Sequence, residues 1–509
     1  MATSWTAGYM AEINYTYGFY RELTPAMLQF AMMAAGMRSP SFAHAQAYCE
    51  LGCGQGVTTN LLAAANPHIE FHATDFNPGQ IAGARDLAAA AGTPNVNFYE
   101  DSFAEFAARS DLPDFDAISL HGIYSWISAE NRQVIVDFIR KRLKPGGLVY
   151  ISYNSLPGWA AAAPLRRLFA DYASNHGGPA LSQIEQALAF SDSLDKLDAK
   201  YFRANLGISE RLDKLKGLQK AYLVHEYLNK DWTPFYHGDV AGELGEAKLT
   251  FAATATILEQ IDAINLTAEQ QQLLAGIPEI SYRETLRDYI VNQQFRRDIF
   301  AKGISTLRQT EVLSAWEQFS FVLSVDVTEV PRTVKGNLGE GNLQPEIYDP
   351  IVGRLAAGPV SWTELVQVPE IAALGYPRIM QAMAIMIGCN VVQPCLAGDM
   401  AVRRAQADAF NLAVMERARF SNDIVYLASP VTGGGISTDH ITLLFLLAVR
   451  NKVADLPAFV LDILLRNSQR LVRDGQTLQS EAENMEELRN RLTSFRQTQI
   501  PLFERLGIV

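Results

Sequence analysis

The sequence predicts an α/β protein: a doubly wound sheet carrying a helical insertion and followed by mainly helical, partly winged-helix-like C-terminal domains. Three observations predict it. Short apolar strand-like runs alternate with helix-patterned stretches up to about residue 156, the pattern of a parallel, doubly wound sheet. A turn with glycine at alternate positions, Gly52, Gly54 and Gly56, closes the first of those runs. From residue 160 to 234 the alternation stops and helical patterning takes over.

In order, residues 1–46 form an opening segment with the aromatic run Asn14-Tyr15-Thr16-Tyr17-Gly18-Phe19-Tyr20. Thr24 then caps a helix with Pro25 at its first position. Strands are expected near 47–51, 69–75, 96–99, 115–121 and 147–153, and helices near 57–65, 78–91 and 129–143. Lys144-Pro145-Gly146-Gly147 punctuates the start of the fifth strand. The basic cluster Arg140, Lys141, Arg142 and Lys144 sits at a helix C-terminus, where cations complement the dipole. In the insertion, Leu165–Ala173, Ser182–Phe190, Ser193–Phe202 and Arg211–Leu228 read as helices. Strand-like chain returns at Leu249–Ile257, a helical run covers Tyr282–Phe300, and a last strand precedes residue 325. The expected domains are therefore a core of 1–159 and 235–325, the insertion 160–234, a winged-helix-like domain 326–400 and a helical domain 401–509. Val330–Asn342 reads as a Gly-, Pro- and Asn-rich linker. Three short helices, Tyr348–Ala356, Trp362–Val366 and Arg378–Ile387, with the strand-like Asn390–Gln393 after them, give the winged-helix order. The last hundred residues are mostly helical, with one distinctive loop, Ala428–Ile436, and a charged, exposed helix over 476–498.

With 509 residues the chain is long enough for several well-filled cores. Its net charge of −12 argues against a broad nucleic-acid footprint. Four cysteines in such a length make no disulfide framework, and Cys49 and Cys53, without a second pair near them, do not suggest a metal site. The start, Met1-Ala2-Thr3-Ser4-Trp5, lacks the pattern of a signal peptide, and apolar runs such as Leu443–Val449 are too short to span a bilayer. A cytoplasmic protein with reduced cysteines and no membrane insertion is expected.

The chemistry is concentrated at Glu50-Leu51-Gly52-Cys53-Gly54-Gln55-Gly56. A strand ending in bare backbone lets a ligand press on the main chain and on the amides of the following helix. A dinucleotide fingerprint would need glycine where Val57 stands. Asp75 closes the second strand at the right distance to hold two ribose hydroxyls. The run from Glu50 to Gly56 resembles motif I of class I S-adenosylmethionine-dependent methyltransferases. Asp75 then corresponds to the ribose-binding acid, and Asp101-Ser102-Phe103 to the adenine-side motif. Tyr153–Trp159, Asp231–Tyr236, Phe295–Asp298 (read as a helix end) and Ala428–Gly433 extend the resemblance over nearly the whole chain. They are similar to bacterial methyltransferases with a methyltransferase regulatory domain, among them the rickettsial protein-lysine methyltransferases. The resemblance implies a Rossmann-like core and S-adenosyl-L-methionine as cofactor. By position the insertion could be a lid, a substrate-binding module or a dimer surface; the resemblance implies that it mediates dimerisation and that the C-terminal domains help present a protein substrate. The cofactor-binding set it implies is Tyr17, Glu50, Gly52, Cys53, Gly54, Gly56, Asp75, Phe76, Asp101, Ser102 and His121.

Methyl transfer needs a neutral lone pair held in line with the methyl carbon. Lysine, with a pKa of about 10.4, must lose a proton first, which calls for a dry aromatic slot, a proton acceptor, or both. Two stretches after strands could build one: His121–Ser128 and Tyr153–Trp159. Tyr124, Trp126, Tyr153 and Trp159 can supply aromatic walls. Tyr153, Asn154 and Trp126 are the candidate substrate-pocket residues. Asn-Pro-Pro-Tyr is absent here, which disfavours exocyclic-amine and glutamine substrates. The expectation is an N-methyltransferase of protein lysines. The rivals are a small-molecule N-, O- or carboxyl-methyltransferase and a DNA-binding regulator that senses S-adenosylmethionine. The last would need a basic recognition helix, and Tyr376–Met383 carries one arginine.

Overall fold

In the computed structural model, residues 16–44, 46–205, 207–396 and 400–509 are described; Asn14 and Tyr15 of the aromatic run lie outside them. Helix α1 (Pro25–Ala34) is the first α-helix among the described residues and buries most of its length. A central sheet follows. Its first strands are β1 (Gln46–Leu51), β2 (Ile69–Thr74), β3 (Val96–Tyr99), β4 (Phe115–Leu120) and β5 (Leu143–Asn154), joined by helices α2 (Val57–Ala65), α3 (Pro78–Ala91), α4 (Phe103–Ala108) and α5 (Ala129–Arg142). These five strands run parallel. Two more, β6 (Leu249–Thr254) and β7 (Phe295–Lys302), complete seven in the order β3-β2-β1-β4-β5-β7-β6, with β7 antiparallel to both neighbours. The chain winds outward from β1 in both directions, so the crevice between the ends of β1 and β4 is where such a sheet binds ligands.

The insertion contains α6 (Ala163–Asn175), α7 (Ala180–Lys196), α8 (Lys200–Ala204), α9 (Ile208–Lys216) and α10 (Lys220–Tyr227). It has its own apolar core, with Leu165, Phe169, Ile184, Leu212 and Leu223 fully buried. The second and third expected helices divide elsewhere: α7 runs unbroken through Ser193, and the break falls at Leu197–Ala199. The fourth splits into α9 and α10 at Gly217.

Helices α11 (His237–Gly245), α12 (Asp262–Asn265), α13 (Ala268–Ala275) and α14 (Ile280–Val291) pack around the antiparallel edge. The helical run expected over Tyr282–Phe300 is a helix followed by a strand. Asn292, at φ 53°, ends α14 in a left-handed cap, and Phe295–Lys302 finds paired backbone on both sides. Two-residue periodicity puts Arg296 and Asp298 on one face, where they form a buried ion pair.

After α15 (Gln309–Trp316), strand β8 (Ser320–Leu323) does not complete the large sheet as expected. The segment expected to be a linker forms a hairpin, β9 (Thr333–Gly336) with β10 (Gly339–Asn342). Helix α16 (Pro345–Ala356), β11 (Val360–Ser361), the helices α17 (Trp362–Leu365), α18 (Pro369–Ala372) and α19 (Tyr376–Gly388), and β12 (Val392–Cys395) follow. The small sheet has the order β11-β8-β12, so the winged-helix-like unit takes its middle strand from the segment preceding its first helix. α19 turns Ile379, Met383 and Met386 inward and carries one basic residue, Arg378.

The chain ends with α20 (Met400–Arg417), the hairpin β13 (Tyr426–Ser429) and β14 (Gly434–Ser437), α21 (His440–Arg450), α22 (Leu456–Arg466), the short hairpin β15 (Val472–Arg473) and β16 (Gln476–Thr477), α23 (Glu481–Ser494) and α24 (Ile500–Arg505). This region closes on the core. All nine residues of α2 are buried because α20 and the β13–β14 hairpin cover its outer side. Gly435 lies so near Leu61 that a Cβ would stand 2.7 Å from its methyl carbon. Asn66 ties the two parts by donating to the carbonyl of Gly433 at 2.7 Å. Among the described residues no helix is long and apolar enough to cross a membrane.

Candidate active site

The turn after β1 is built by its own backbone. The amides of Gly52 and Cys53 both donate to the Thr74 carbonyl, at 2.8 and 3.0 Å, which docks the turn on the end of β2. Asp75 follows Thr74, and its two carboxylate oxygens accept from the amides of Gly54 (3.0 Å) and Asn77 (2.9 Å). The Gln80 amide lies 3.2 Å from both oxygens and donates to them with its nitrogen turned inward. Glu50 accepts from the Thr59 hydroxyl. Burial pushes Asp75 up to about 6 and Glu50 up to about 7; the bonds to Asn77, Gly54 and Thr59 hold them back only in part.

The three glycines differ in what they make room for. At Gly56 a Cβ would meet Ala84 at 2.6 Å and the Phe98 ring at 2.9 Å, so this glycine lets α3 and β3 close on α2. At Gly52, with φ 74°, it would strike Ile123 at 2.3 Å. At Gly54 the nearest atom is 3.8 Å away, which leaves the open side of the turn to a ligand. Gly52→Ala is expected to weaken S-adenosylmethionine binding about tenfold. The left-handed backbone costs roughly 1 kcal/mol, and the displaced Ile123 side chain is pushed into the cleft. Calorimetric titration would measure it, and adding Ile123→Ala should restore part of the affinity.

The cleft above this turn has a volume of about 530 Å³. Gly52, Cys53, Gly54, Asp75, Phe76 and His121 line it, as do Trp126 and Asn154. The opening segment straps its rim: Thr58 Oγ donates to the Gly18 carbonyl and accepts from the Tyr20 amide, both at 3.2 Å. The Tyr20 ring stacks on His121 at 3.7 Å, and His121 Nδ1 meets the Tyr150 hydroxyl at 2.9 Å. Burial, aided by Arg297, lowers His121 to about 3, so its imidazole is neutral at physiological pH. Asn154 is 5% exposed, its main chain held by Ser125 and Phe235, and its Nδ2 has no partner among the described residues. A buried, unspent donor, the half-buried backbone of the glycine turn and the Asp75 carboxylate line one cleft, which suits a polar nucleoside with an amino-acid tail.

Four expected site residues lie elsewhere. Tyr153 points to the opposite side of the sheet from Asn154, because neighbouring strand residues alternate. Its hydroxyl donates to Asp298 at 2.7 Å and lies 3.2 Å from His237, all fully buried. Tyr17 packs under the Arg417 guanidinium at 5.5 Å, and its neighbours Thr16, Gly18 and Tyr20 line the cleft instead. Asp101 pairs with Arg109 at 3.1 Å, while Ser102 caps α4 through a reciprocal box with Glu105; of that motif, Phe103 reaches the cleft.

Sequence reasoning missed the far wall. α10 contributes Tyr222, His225, Glu226 and Asn229 as its face and C-terminal continuation, and the β7 end contributes Gln294, Phe295 and Arg297. The one local signal was a pair of polar residues, His225 and Glu226, between tyrosines on a helix otherwise fit for a core. Trp126, Trp159 and Trp232 cluster beside it, with ring centres 5.1 and 6.4 Å apart through Trp232. Arg211 lies 4.2 Å over Trp159.

A doubly wound sheet with an antiparallel seventh strand, a glycine turn after β1 and an acid after β2 defines a class I S-adenosylmethionine-dependent methyltransferase. Residues 49–149 match the methyltransferase domain family, and residues 219–302 match the predicted methyltransferase regulatory domain. An uncharacterized protein of Synechocystis sp. is 43% identical over 99% of this chain and its own full length. An uncharacterized protein of Rickettsia prowazekii is 24% identical over 65% of this chain and 60% of its own. The structure of PKMT2 from Rickettsia typhi in complex with AdoHcy superposes with a TM-score of 0.71 at 18% identity, covering 97% of this chain and all of that one. The chain belongs, with its Synechocystis relative, to the family of methyltransferases that carry a methyltransferase regulatory domain. It is an enzyme, and its cofactor is S-adenosyl-L-methionine.

Proposed function

We propose that the enzyme N-methylates lysine side chains of a protein substrate. The observation that carries this reading is Glu226, half-buried on α10, in the same cleft as Asp75 and the Trp126–Trp159 walls. Enclosure pushes its carboxyl up to about 7 against the pull of Arg166 and Arg211. The shared fold with Rickettsia typhi PKMT2 supports the protein substrate.

When bound, S-adenosylmethionine supplies an electrophilic methyl on a sulfonium. Asp75 holds the ribose hydroxyls, the Gly54 side of the turn takes the methionine part, and Asn154 Nδ2 has a hydrogen bond to give. Phe76 and Phe103 supply flat apolar surface for the base. Trp126, Trp159 and Tyr222 strip water from an incoming ammonium, and Trp126 and Tyr222 attract it through their ring faces, since Trp159 already carries Arg211. Enclosure lowers the amine's pKa and raises that of Glu226, so proton transfer from nitrogen to carboxylate becomes nearly balanced. The neutral amine then has its lone pair free for the in-line displacement, and its position does much of the work.

Incubation with methyl-labelled S-adenosylmethionine and cell lysate should label protein bands at lysine; label confined to small molecules would overturn the protein substrate. Glu226→Gln should slow methyl transfer by about 100-fold, the scale of a lost general base, while leaving cofactor affinity unchanged. The wild-type rate should rise as pH passes upward through about 7, where Glu226 ionises, and the variant should lose that inflection.

A further inference from the structure

The cleft is acidic apart from one group. Glu50, Asp75 and Glu226 line it, and among the described residues Arg297 is the only lysine or arginine that does. Strand pairing brings it there. Tyr150 of β5 pairs with Ile299 of β7, and both belong to the core under α1. Two residues along, Ser152 pairs with Arg297 on the same face. Ser152 Oγ accepts from the Gly122 amide at 2.7 Å, which ties the loop after β4 to that spot. The Arg297 charge acts on His121 and Tyr150, whereas the cations acting on Glu226 are Arg166 and Arg211. Arg297 therefore stands on the His121 side of the cleft, away from Glu226.

Its guanidinium is placed but not satisfied. The side chain is 33% exposed, and Glu22 stands 3.8 Å from its Nε, too far for a hydrogen bond. The charged group lies 5.0 Å over the Phe295 ring, and among the described residues nothing accepts a hydrogen bond from it. Nε is enclosed. What remains to offer is the edge formed by the two Nη groups, a fork that fits a carboxylate with two parallel bonds.

The glycine turn has little left for an anion. The Gly52 and Cys53 amides are spent on the Thr74 carbonyl, that of Gly54 on Asp75 and that of Gly56 on the Cys53 carbonyl. The first amides of α2 remain, with the partial charge of about half a unit that a helix end carries. S-adenosylmethionine brings a sulfonium, an ammonium and one carboxylate, which is ionised at neutral pH. Its cations meet a cleft lined by three acids; its anion meets one full positive charge, that of Arg297.

We propose that Arg297 binds the carboxylate of the cofactor's methionine part through its Nη edge. The ribose sits at the end of β2, and β4 is two strand spacings away, about 10 Å, the gap that an amino-acid tail bridges while the long arginine side chain reaches back from β7. The role depends on the nucleoside seat at Asp75 and Gly54, and not on which substrate is methylated. It makes Arg297 the residue that tells the intact tail from one without its carboxylate.

Calorimetric titration of the full chain with three ligands tests it: S-adenosylmethionine, its decarboxylated form, which keeps the sulfonium and the amine, and 5′-methylthioadenosine, which has no amino-acid tail. The wild type should bind the decarboxylated form about 30-fold more weakly than S-adenosylmethionine, the scale of a charge-assisted pair. Arg297→Met should weaken S-adenosylmethionine by about the same factor, leave methylthioadenosine unchanged, and hold the decarboxylated form no more weakly than the wild type does. Arg297→Lys, which keeps the charge but loses the fork, should fall between, and it carries the test if Arg297→Met does not fold. Equal wild-type affinity for the two sulfonium ligands would overturn the role, as would S-adenosylmethionine affinity unmoved by Arg297→Met. So would a loss that falls on all three ligands alike, which is what a merely structural arginine would give. Methylthioadenosine binding unmoved by Asp75→Ala would instead overturn the nucleoside seat, and this role with it.

Discussion

Asp75→Ala is expected to lower the affinity for S-adenosylmethionine by at least about 100-fold. A hydrogen bond to a charged group is worth about 1.5–3 kcal/mol, and two hydroxyls on one carboxylate bring the loss to about 3 kcal/mol, or 100-fold. The substitution also frees the Gly54 and Asn77 amides, which Asp75 binds at 3.0 and 2.9 Å, so the turn itself loosens. Calorimetric titration separates the two effects by pH. Asp75 has its carboxyl raised to about 6 by burial, and the ionised form is the one that accepts from a diol. Wild-type affinity should therefore be flat above about pH 6 and fall below it, whereas the variant should be weak throughout. Unchanged affinity would remove Asp75 from the cofactor site.

Arg296→Met should destabilise the antiparallel edge of the sheet by about 3–5 kcal/mol, the cost of leaving buried charges without their partner. Arg296 is 4% exposed and is the shared partner of Glu284, Asp288 and Asp298. In the wild type, burial drives Asp298 upward, but Arg296 and His237 outweigh it and hold the carboxyl at about 2. Its stabilising contribution is thus present above its unfolded pKa of about 3.9 and lost as pH falls through about 2. Asp288, raised to about 7, behaves oppositely: its contribution is full below about 3.9 and is lost as pH rises through about 7. Without Arg296, Asp288 and Asp298 lose the cation that favours their ionised forms, so the variant's deficit should be larger at pH 8 than at pH 5.5. Hydrogen exchange of the β7 amides reports it locally. A deficit below about 1 kcal/mol, or one independent of pH, would show that the network does not hold this edge.

The candidate cofactor seat was legible because it is local. Glu50 through Gly56 is one contiguous turn, and Asp75 is fixed to it by strand register, since β1 and β2 pair from Gln46↔Ile69 to Leu51↔Thr74. The alternation to residue 156 was equally readable, because strands covered on both faces read as short, nearly continuous apolar runs set apart from the helices between them. The adenine side was read less well. Asp101 and Ser102 are taken by Arg109 and by the cap of α4, a competition that spacing alone does not reveal. Phe295–Lys302 has no pattern that separates helix from strand; the open edges of β5 and β6 decide it.

By itself, then, the sequence determined the class of fold and the candidate seat for the nucleoside, since the first rests on local apolar patterning and the second on one contiguous glycine turn and an acid that strand register sets beside it. The tertiary structure alone decided the far wall of the cleft. Glu226 and Arg297 reach Gly54 only after an insertion and an antiparallel strand have folded back over the sheet. It also decided that Asn154 rather than Tyr153 faces the cleft, because the side a strand residue takes is set by which partner its neighbours pair with, and that partner lies more than a hundred residues away.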